Sequence, residues 1–245
     1  MSFNIQWYSS LKSTNEEMKK ILSSGNKLKN YSIVATYDQT NGTGRFDRKW
    51  ISFPNSNLCF SIFIESETDI KCIPSLTMSS ALAVNDFLKS YGVKSNLKWP
   101  NDVLVENKKI CGILSEHINN AKNNIKGVII GIGLNVNLTT NELNTIDQPA
   151  TSMLVECNKS FLLDNILENL CENLNFWIKK WEINPSFKTI KQNWINCSEK
   201  IGNTISIKDE GNIIHGKLED YGEYGELIIN IDGKIKTIWS GEIER

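Results

Sequence analysis

The chain has no excess of either charge. Its 27 lysines and arginines stand against 28 aspartates and glutamates, a formal net charge of −1. A general nucleic-acid binder shows a basic surplus, so any phosphate contact here must come from a local cluster. Histidine is scarce: there are 2, His117 and His215, which excludes a histidine-rich zinc site and leaves a Ser-His-Asp triad few bases to choose from. His117 reads as a hydrogen-bonded surface residue, and Ser152 has no convincing base, so a nucleophilic serine is disfavoured. The cysteines at 59, 72, 111, 157, 171 and 197 form no C-x-x-C pair. They make no metal pattern and read as reduced thiols, several of them in the core. The longest strongly apolar stretch, 127–136, is far short of the roughly 20 residues of a membrane span. The start MSFNIQWYSS lacks the basic and apolar regions of a signal peptide, so the expected compartment is the cytoplasm. A Walker A loop is missing. Internal repeats and low-complexity linkers are absent as well.

What remains is an ordinary globular composition of 245 residues, 40% hydrophobic and 22% charged, enough for one large domain and a small one. Residues 3–8 alternate as a strand. Ser13 and Glu16 are spaced as a capping box for a helix running to about Ser23. Strands are expected over 31–37, 57–64, 96–99, 103–105, 109–117 and 126–136. The last is apolar on both faces and therefore central. Asn107-Lys108 looks like a hairpin turn. Pro74 opens an amphipathic helix to about Tyr91. A 3.6-residue apolar period marks a long helix over 160–181, and Pro185 starts another to about Asn196. After Cys197 come short strands over 204–207, 213–220, 226–231 and 234–239, separated by glycine turns. These suggest a small β-barrel. The expected domains are 1–197 and 198–245.

Four segments could carry chemistry. In Gly42-Thr43-Gly44-Arg45-Phe46-Asp47-Arg48-Lys49-Trp50, two glycines allow close backbone approach, and three cations fall within five residues. Arginine's planar fork suits phosphate, and Trp50 can stack on a ring or anchor the loop. The alternative is a solvated hairpin loop. Lys98-Trp99-Pro100-Asn101-Asp102 is either a site or a tight turn at a strand end. Lys109 opens a strand, and Gly112 lies three positions on. A lysine there is costly unless an anion meets it, although an edge lysine on a hairpin also fits. Gly131-Ile132-Gly133-Leu134-Asn135 is no dinucleotide fingerprint, since a third glycine and a following helix are missing. Its glycines leave room for a flat ligand against a central strand.

As a set, Ser13-Thr14-Asn15, Gln39 with the 42–50 loop, KWPND, K-x-x-GIL, GIGLNVN and Ala150-Thr151-Ser152 resemble biotin–protein ligases, in that family's order. The likeness spreads over nearly the whole chain and is specific as a combination. It implies an α+β fold: a mixed β-sheet catalytic domain with flanking helices, of the class II aminoacyl-tRNA synthetase and biotin–lipoate ligase type, plus a small C-terminal SH3-like barrel. With no room for a winged helix-turn-helix, the chain resembles the monofunctional biotin–[acetyl-CoA carboxylase] ligases. The implied reaction activates biotin with ATP and Mg²⁺ to biotinyl-5'-AMP, releasing pyrophosphate. Biotin then passes to a lysine of a biotin carboxyl carrier protein. DNA and membranes are not expected partners, and an open sheet edge could pair with a second copy or with the carrier.

By the same resemblance Lys109, Arg45 and Arg48 are catalytic. Ser13, Thr14, Asn15, Gln39, Gly42, Thr43, Gly44, Arg45, Lys109, Gly112, Gly131 and Gly133 would surround biotin. Arg45, Arg48, Trp50, Asn101, Lys109 and Asn135 would meet ATP, and Asp102 would contact Mg²⁺. The family's loop usually reads G-R-G-R-x-[GN]-R-x-W. This chain departs from it with Thr43 at the first arginine and Asp47 at the glycine or asparagine. The rivals are a lipoate–protein ligase and a binding module without catalysis. Pyrophosphate release separates the latter from an enzyme.

Overall fold

Apolar runs and turn residues divide the chain into two sheets braced by helices. The computed structural model describes residues 3–24, 28–120, 125–209 and 211–244. In chain order the elements begin with β1 (Asn4–Tyr8), α1 (Thr14–Ser23), β2 (Ser32–Thr36), a hairpin of β3 (Gly42–Thr43) and β4 (Lys49–Trp50), and β5 (Asn57–Glu65). Then come α2 (Ile73–Ser90), β6 (Asn96–Lys98), β7 (Asp102–Val105), β8 (Lys108–Asn120) and β9 (Ile125–Asn135). Two short helices, α3 (Thr140–Leu143) and α4 (Met153–Cys157), precede the long α5 (Leu163–Ile183) and α6 (Lys191–Ile195). The chain closes with β10 (Thr204–Asp209), β11 (Asn212–Tyr221), β12 (Leu227–Ile231), β13 (Lys234–Ile238) and β14 (Glu242–Glu244).

The larger sheet has the order β1-β2-β5-β9-β8-β7-β6, which places β9 at its centre as its two-sided apolar character predicts. β1 and β2 run parallel, and the other pairs are antiparallel. One face carries Ile33, Ala35, Leu58, Phe60, Ile62, Ile130 and Ile132 into the main core beneath α2 and α5. Pro74 sits in the first turn of α2, where a missing N–H costs nothing. Burial of α2 includes hydroxyls, and each is paired. Ser79 Oγ donates to Trp177 O of α5 at 2.9 Å, and Trp181 Nε1 donates to Ser75 Oγ at 2.7 Å. The opposite face holds a small cluster in which Met18 and Leu22 of α1 meet Val34, Phe63 and Ile129. The rest of that face is left open for a site.

Three local expectations change. Ser13 caps α1 by accepting from Glu16 N, but the Glu16 carboxylate pairs with Lys19, so only half of the capping box forms. The hairpin turn falls one residue earlier, on Glu106 and Asn107, both with positive φ (48° and 67°), the two-residue geometry suited to strand twist. The helix expected over 185–196 splits into a 3-10 turn, Phe187–Thr189, and α6. Phe187 and Trp194 are both fully buried, and Phe187 N is taken by Glu223 O, so burial against the second sheet overrides a continuous helix.

The C-terminal strands form an antiparallel sheet in the order β13-β12-β11-β10-β14. Among the described residues β13 and β14 are its two edges, so its hydrogen bonds do not close a barrel. One apolar cluster continues from the first sheet into the second, and Trp99 Nε1 donates to Gly225 O at 2.8 Å across the join. Among the described residues no helix is long and apolar enough to cross a membrane.

Candidate functional site

Strand alternation builds the site floor. Successive side chains point to opposite faces, and neighbours in register share a face. On the open face Ser61 pairs with Gly131, which pairs with Leu114; Cys59 pairs with Gly133, which pairs with Gly112. A patch of glycine and small side chains therefore lies at the sheet centre. Two groups from elsewhere occupy the space. A Cβ on Gly131 would overlap the Asn15 carboxamide, and one on Gly133 would overlap the Trp50 indole. Trp50 is carried there by the β3–β4 hairpin, in which Gly42 pairs with Trp50 and Thr43 with Lys49.

The cleft above this floor holds about 740 Å³ of open space. Ser13, Thr14, Asn15, Gln39, Thr43, Gly44, Arg45, Arg48, Trp50, Asn101, Asp102, Lys109, Gly112, Gly131 and Gly133 all line it. A second cleft with about 1060 Å³ of open space adjoins it, lined by Asn135, Asp147, Gln148 and Ala150 among others, and shares Arg48, Lys49, Trp50, Lys109 and Gln148 with the first. Gly42 lines neither; it packs behind, against the Gln39 carboxamide. In a chain of net charge −1, the first cleft brings Arg45, Arg48, Lys49 and Lys109 together against Asp102 and Glu242.

Lys109 reaches the cleft through an irregularity. Gly112, Leu114 and Glu116 share the open face, so regular alternation would send residue 109 to the helix side. Between β7 and β8 the register shifts: Val103 pairs with Cys111 but Leu104 with Lys109, leaving Ile110 as the extra residue. This bulge turns the Lys109 side chain onto the site. Its Nζ lies 2.7 Å from Asp102 Oδ1 and over the Trp50 ring, 5.9 Å from the centroid. The lysine is 18% exposed and the aspartate 12%. The 149–151 loop holds the lysine's backbone, since Lys109 N donates to Pro149 O at 2.8 Å and Thr151 N to Lys109 O at 3.0 Å.

The asparagines are framework as much as lining. Asn135 Nδ2 donates to Thr151 O and to Lys109 O, while its Oδ1 accepts from Asn57 Nδ2 at 2.9 Å. Asn101 Nδ2 donates to Ile113 O at 2.8 Å, locking the KWPND turn to β8. At the other end of the cleft Gln39 Oε1 accepts from Thr14 N at 2.9 Å.

The cationic loop is tied to the C-terminal sheet. Arg45 Nη1 donates to Gly241 O at 2.9 Å, and Arg48 Nη1 reaches both Glu242 carboxylate oxygens at 2.7 and 2.8 Å. Burial pulls the Arg45 guanidinium below its ordinary pKa; the carboxylates of Glu242 and Asp102 oppose this, while Arg48 adds to it. An arginine remains protonated throughout the physiological range regardless. Phe46 and Asp47 both sit in the left-handed region, at φ 55° and 56°. That explains a glycine or asparagine at the second position, and aspartate is among the few side chains that tolerate it. The sequence reading missed Glu242, Gln148 and Asp147, which arrive from loops and strands with no motif of their own. Among the described residues no group of three or more His, Cys, Asp or Glu could hold a metal ion.

A family model described as the Biotin/lipoate A/B protein ligase family matches residues 7–135, just over half of the chain, and the chain belongs to that family. Among curated relatives, the bifunctional ligase/repressor BirA of Bacillus subtilis is 28% identical over 217 residues, covering 87% of this chain. The chain spans 66% of that protein's length. The biotin–[acetyl-CoA-carboxylase] ligase of Mycobacterium tuberculosis is 26% identical over 238 residues, covering 94% of this chain and 85% of that one. The structure is similar to that of the biotin protein ligase from Aquifex aeolicus in complex with biotin and ATP. The TM-score is 0.77 at 27% identity, covering 98% of this chain and 97% of that one.

Proposed function

We propose that this protein activates biotin with ATP to biotinyl-5'-AMP, releasing pyrophosphate, and transfers biotin to a lysine of a biotin carboxyl carrier protein. The observation that carries the reading is the position of the Lys109 ammonium, which lines both cavities where they meet. A carboxylate entering from one side and a triphosphate from the other converge on that cation. The barrier to joining them is largely the repulsion between anions, so fixed cations and backbone donors lower it more than a protein nucleophile would.

The biotin rings lie in the first cleft, against the Asn15 carboxamide and the Trp50 indole that cover the glycine floor, with their polar head at Thr14, Asn15 and Gln39. Ser13, Thr43 and Gly44 close this end. The nucleotide takes the second cavity, beside Trp50 and Asn135, with Asn101 behind the reacting centre. Lys109 neutralises the biotin carboxylate and the α-phosphate oxygens as the new bond forms. Arg45 and Arg48 exchange their contacts at Gly241 and Glu242 for the phosphates. In the second half-reaction the carrier's lysine amine attacks the anhydride carbonyl, and AMP leaves. A magnesium ion brought by the triphosphate would be held mostly by phosphate oxygens and water and would offset phosphate charge. Asp102, a single carboxylate already paired with Lys109, suits a peripheral contact to it. In the larger sheet the outer strand β1 offers an edge to a second copy or to the carrier, whereas Leu97 N of β6 already donates to Cys197 O.

ATP–pyrophosphate exchange tests this, run with biotin, with lipoate and with neither. Biotin-dependent exchange is the expected result. Exchange with lipoate alone assigns the protein to lipoate ligation, and no exchange with biotin bound leaves a binding module.

A further inference from the structure

We propose that Glu116, which does not line the cleft, is a positioning residue that sets the hydrogen-bond polarity of the biotin-head pocket by way of Asn15 and Ser61. The proposal rests on the biotin reading above and adds residues to it. Glu116 divides its two oxygens: Oε2 accepts from Asn15 Nδ2 at 2.7 Å and Oε1 from Lys19 Nζ at 2.8 Å. A carboxylate only accepts, so the Asn15 amide can face it in one orientation, with Nδ2 towards Glu116 and Oδ1 away. Asn15 Oδ1 then points at Ser61 Oγ, 2.5 Å away. Gly131 leaves the room for this, since a Cβ there would overlap the carboxamide.

Ser61 is fully buried and also lies 2.7 Å from Thr14 Oγ1, yet it carries one hydrogen. Asn15 Oδ1 can only accept, so it takes that hydrogen. The short Ser61–Thr14 contact is then made with the Thr14 hydrogen. The other acceptor open to Thr14 Oγ1, Gln39 Oε1, is 3.3 Å away and already receives the Thr14 backbone N–H at 2.9 Å. Thr14 is left with free lone pairs towards the cleft, an acceptor. Gln39, its oxygen used, is left with its Nε2 as a donor. An acceptor beside a donor is the complement of a cyclic urea, whose N–H donates and whose C=O accepts. The charge on Glu116 thus decides, three hydrogen bonds away, which sign Thr14 shows the ligand.

Glu116→Gln is the sharp test because it keeps the shape. Lys19 can only donate, so it takes the single amide oxygen and leaves NH₂ facing Asn15. The Asn15 amide turns over, Ser61 rotates its hydrogen to Thr14, and Thr14 turns its own outward. The biotin KM in pyrophosphate exchange should rise about tenfold or more, with kcat at saturating biotin and the ATP KM within about twofold of wild type. Lys19→Met alone should leave all three unchanged. Combined with Glu116→Gln, it frees the amide oxygen for Asn15 and should return the biotin KM to within about threefold. An unchanged KM in Glu116→Gln, or no recovery in the double variant, overturns the proposal. Thermal melts check folding. Should Glu116→Gln not fold, Ser61→Ala removes the relay hydroxyl alone and should raise the biotin KM while sparing that for ATP; an unchanged biotin KM there overturns the proposal equally. Wild-type protein without biotin-dependent exchange would instead sink the ligase reading itself.

Discussion

Replacing Lys109 by alanine removes an ammonium that lines both cavities and is paired with Asp102. Two consequences differ in size and in where they appear. Loss of a preorganised charge aimed at developing negative charge costs about 2–4 kcal/mol of transition-state stabilisation, which is about 30- to 1000-fold in rate at 1.36 kcal/mol per decade. Ground-state binding should suffer less. The ammonium is 18% exposed and already satisfied by Asp102, so exchanging one carboxylate for another gains about 1 kcal/mol, a factor of about five in biotin affinity. The assay is pyrophosphate exchange at saturating biotin and ATP, with biotin affinity measured by calorimetry. The variant also strands Asp102, 12% exposed, without its 2.7 Å partner, so melting temperature falls as well. Adding Asp102→Asn removes that stranded charge. The double variant should regain most of the melting temperature and none of the exchange rate. An exchange rate within about threefold of wild type in Lys109→Ala would refute the electrostatic assignment. Recovery of exchange with stability would show that the lysine acts through the fold.

Glu242→Gln weakens a two-pronged but half-exposed contact to Arg48, worth about 0.5–1 kcal/mol. Trypsin cleavage after Arg45 and Arg48 should then quicken about two- to fivefold, and biotin plus ATP should suppress it; equal rates in both proteins would count against the clamp. Gly133→Ala puts a Cβ where the Trp50 indole lies. Overpacking of about 1–3 kcal/mol should lower the melting temperature by several degrees and raise the KM for both substrates; an unchanged protein would place Trp50 elsewhere. Alkaline pH should destabilise the fold. Burial pushes the Cys59 thiol up to about 12, and burial with the Glu182 hydrogen bond pushes Tyr31 up to about 12. Both groups ionise more easily once unfolded. Their contribution is complete below the unfolded pKa values, about 8.5 and 10, and is lost as pH rises towards the folded values. Denaturant midpoints that hold constant from pH 9 to 11.5 would contradict this.

Much of this architecture can be read from the sequence, because period, caps and turns are local. The run 126–136 is apolar on both faces, and β9 is indeed the central strand. Ser13 announces α1, and Pro74 announces α2. The glycines at 112, 131 and 133 suggest room for a ligand; register sets them side by side under one cleft, but the Asn15 carboxamide and the Trp50 indole take the space directly over Gly131 and Gly133. What stays hidden depends on register and on distance along the chain. Counting alternate positions from Gly112 sends Lys109 to the wrong face; only the bulge at Ile110 brings it back, and nothing in K-I-C-G marks a bulge. Glu242 meets Arg48 across 194 residues, and Glu116 meets Asn15 across 101. In isolation each reads as an ordinary strand glutamate. Their roles come from which cation or amide the fold sets opposite them. A motif reading finds the groups that would touch substrate. The residues that aim those groups carry no motif, because any chain segment that delivers a carboxylate to the right point serves equally well.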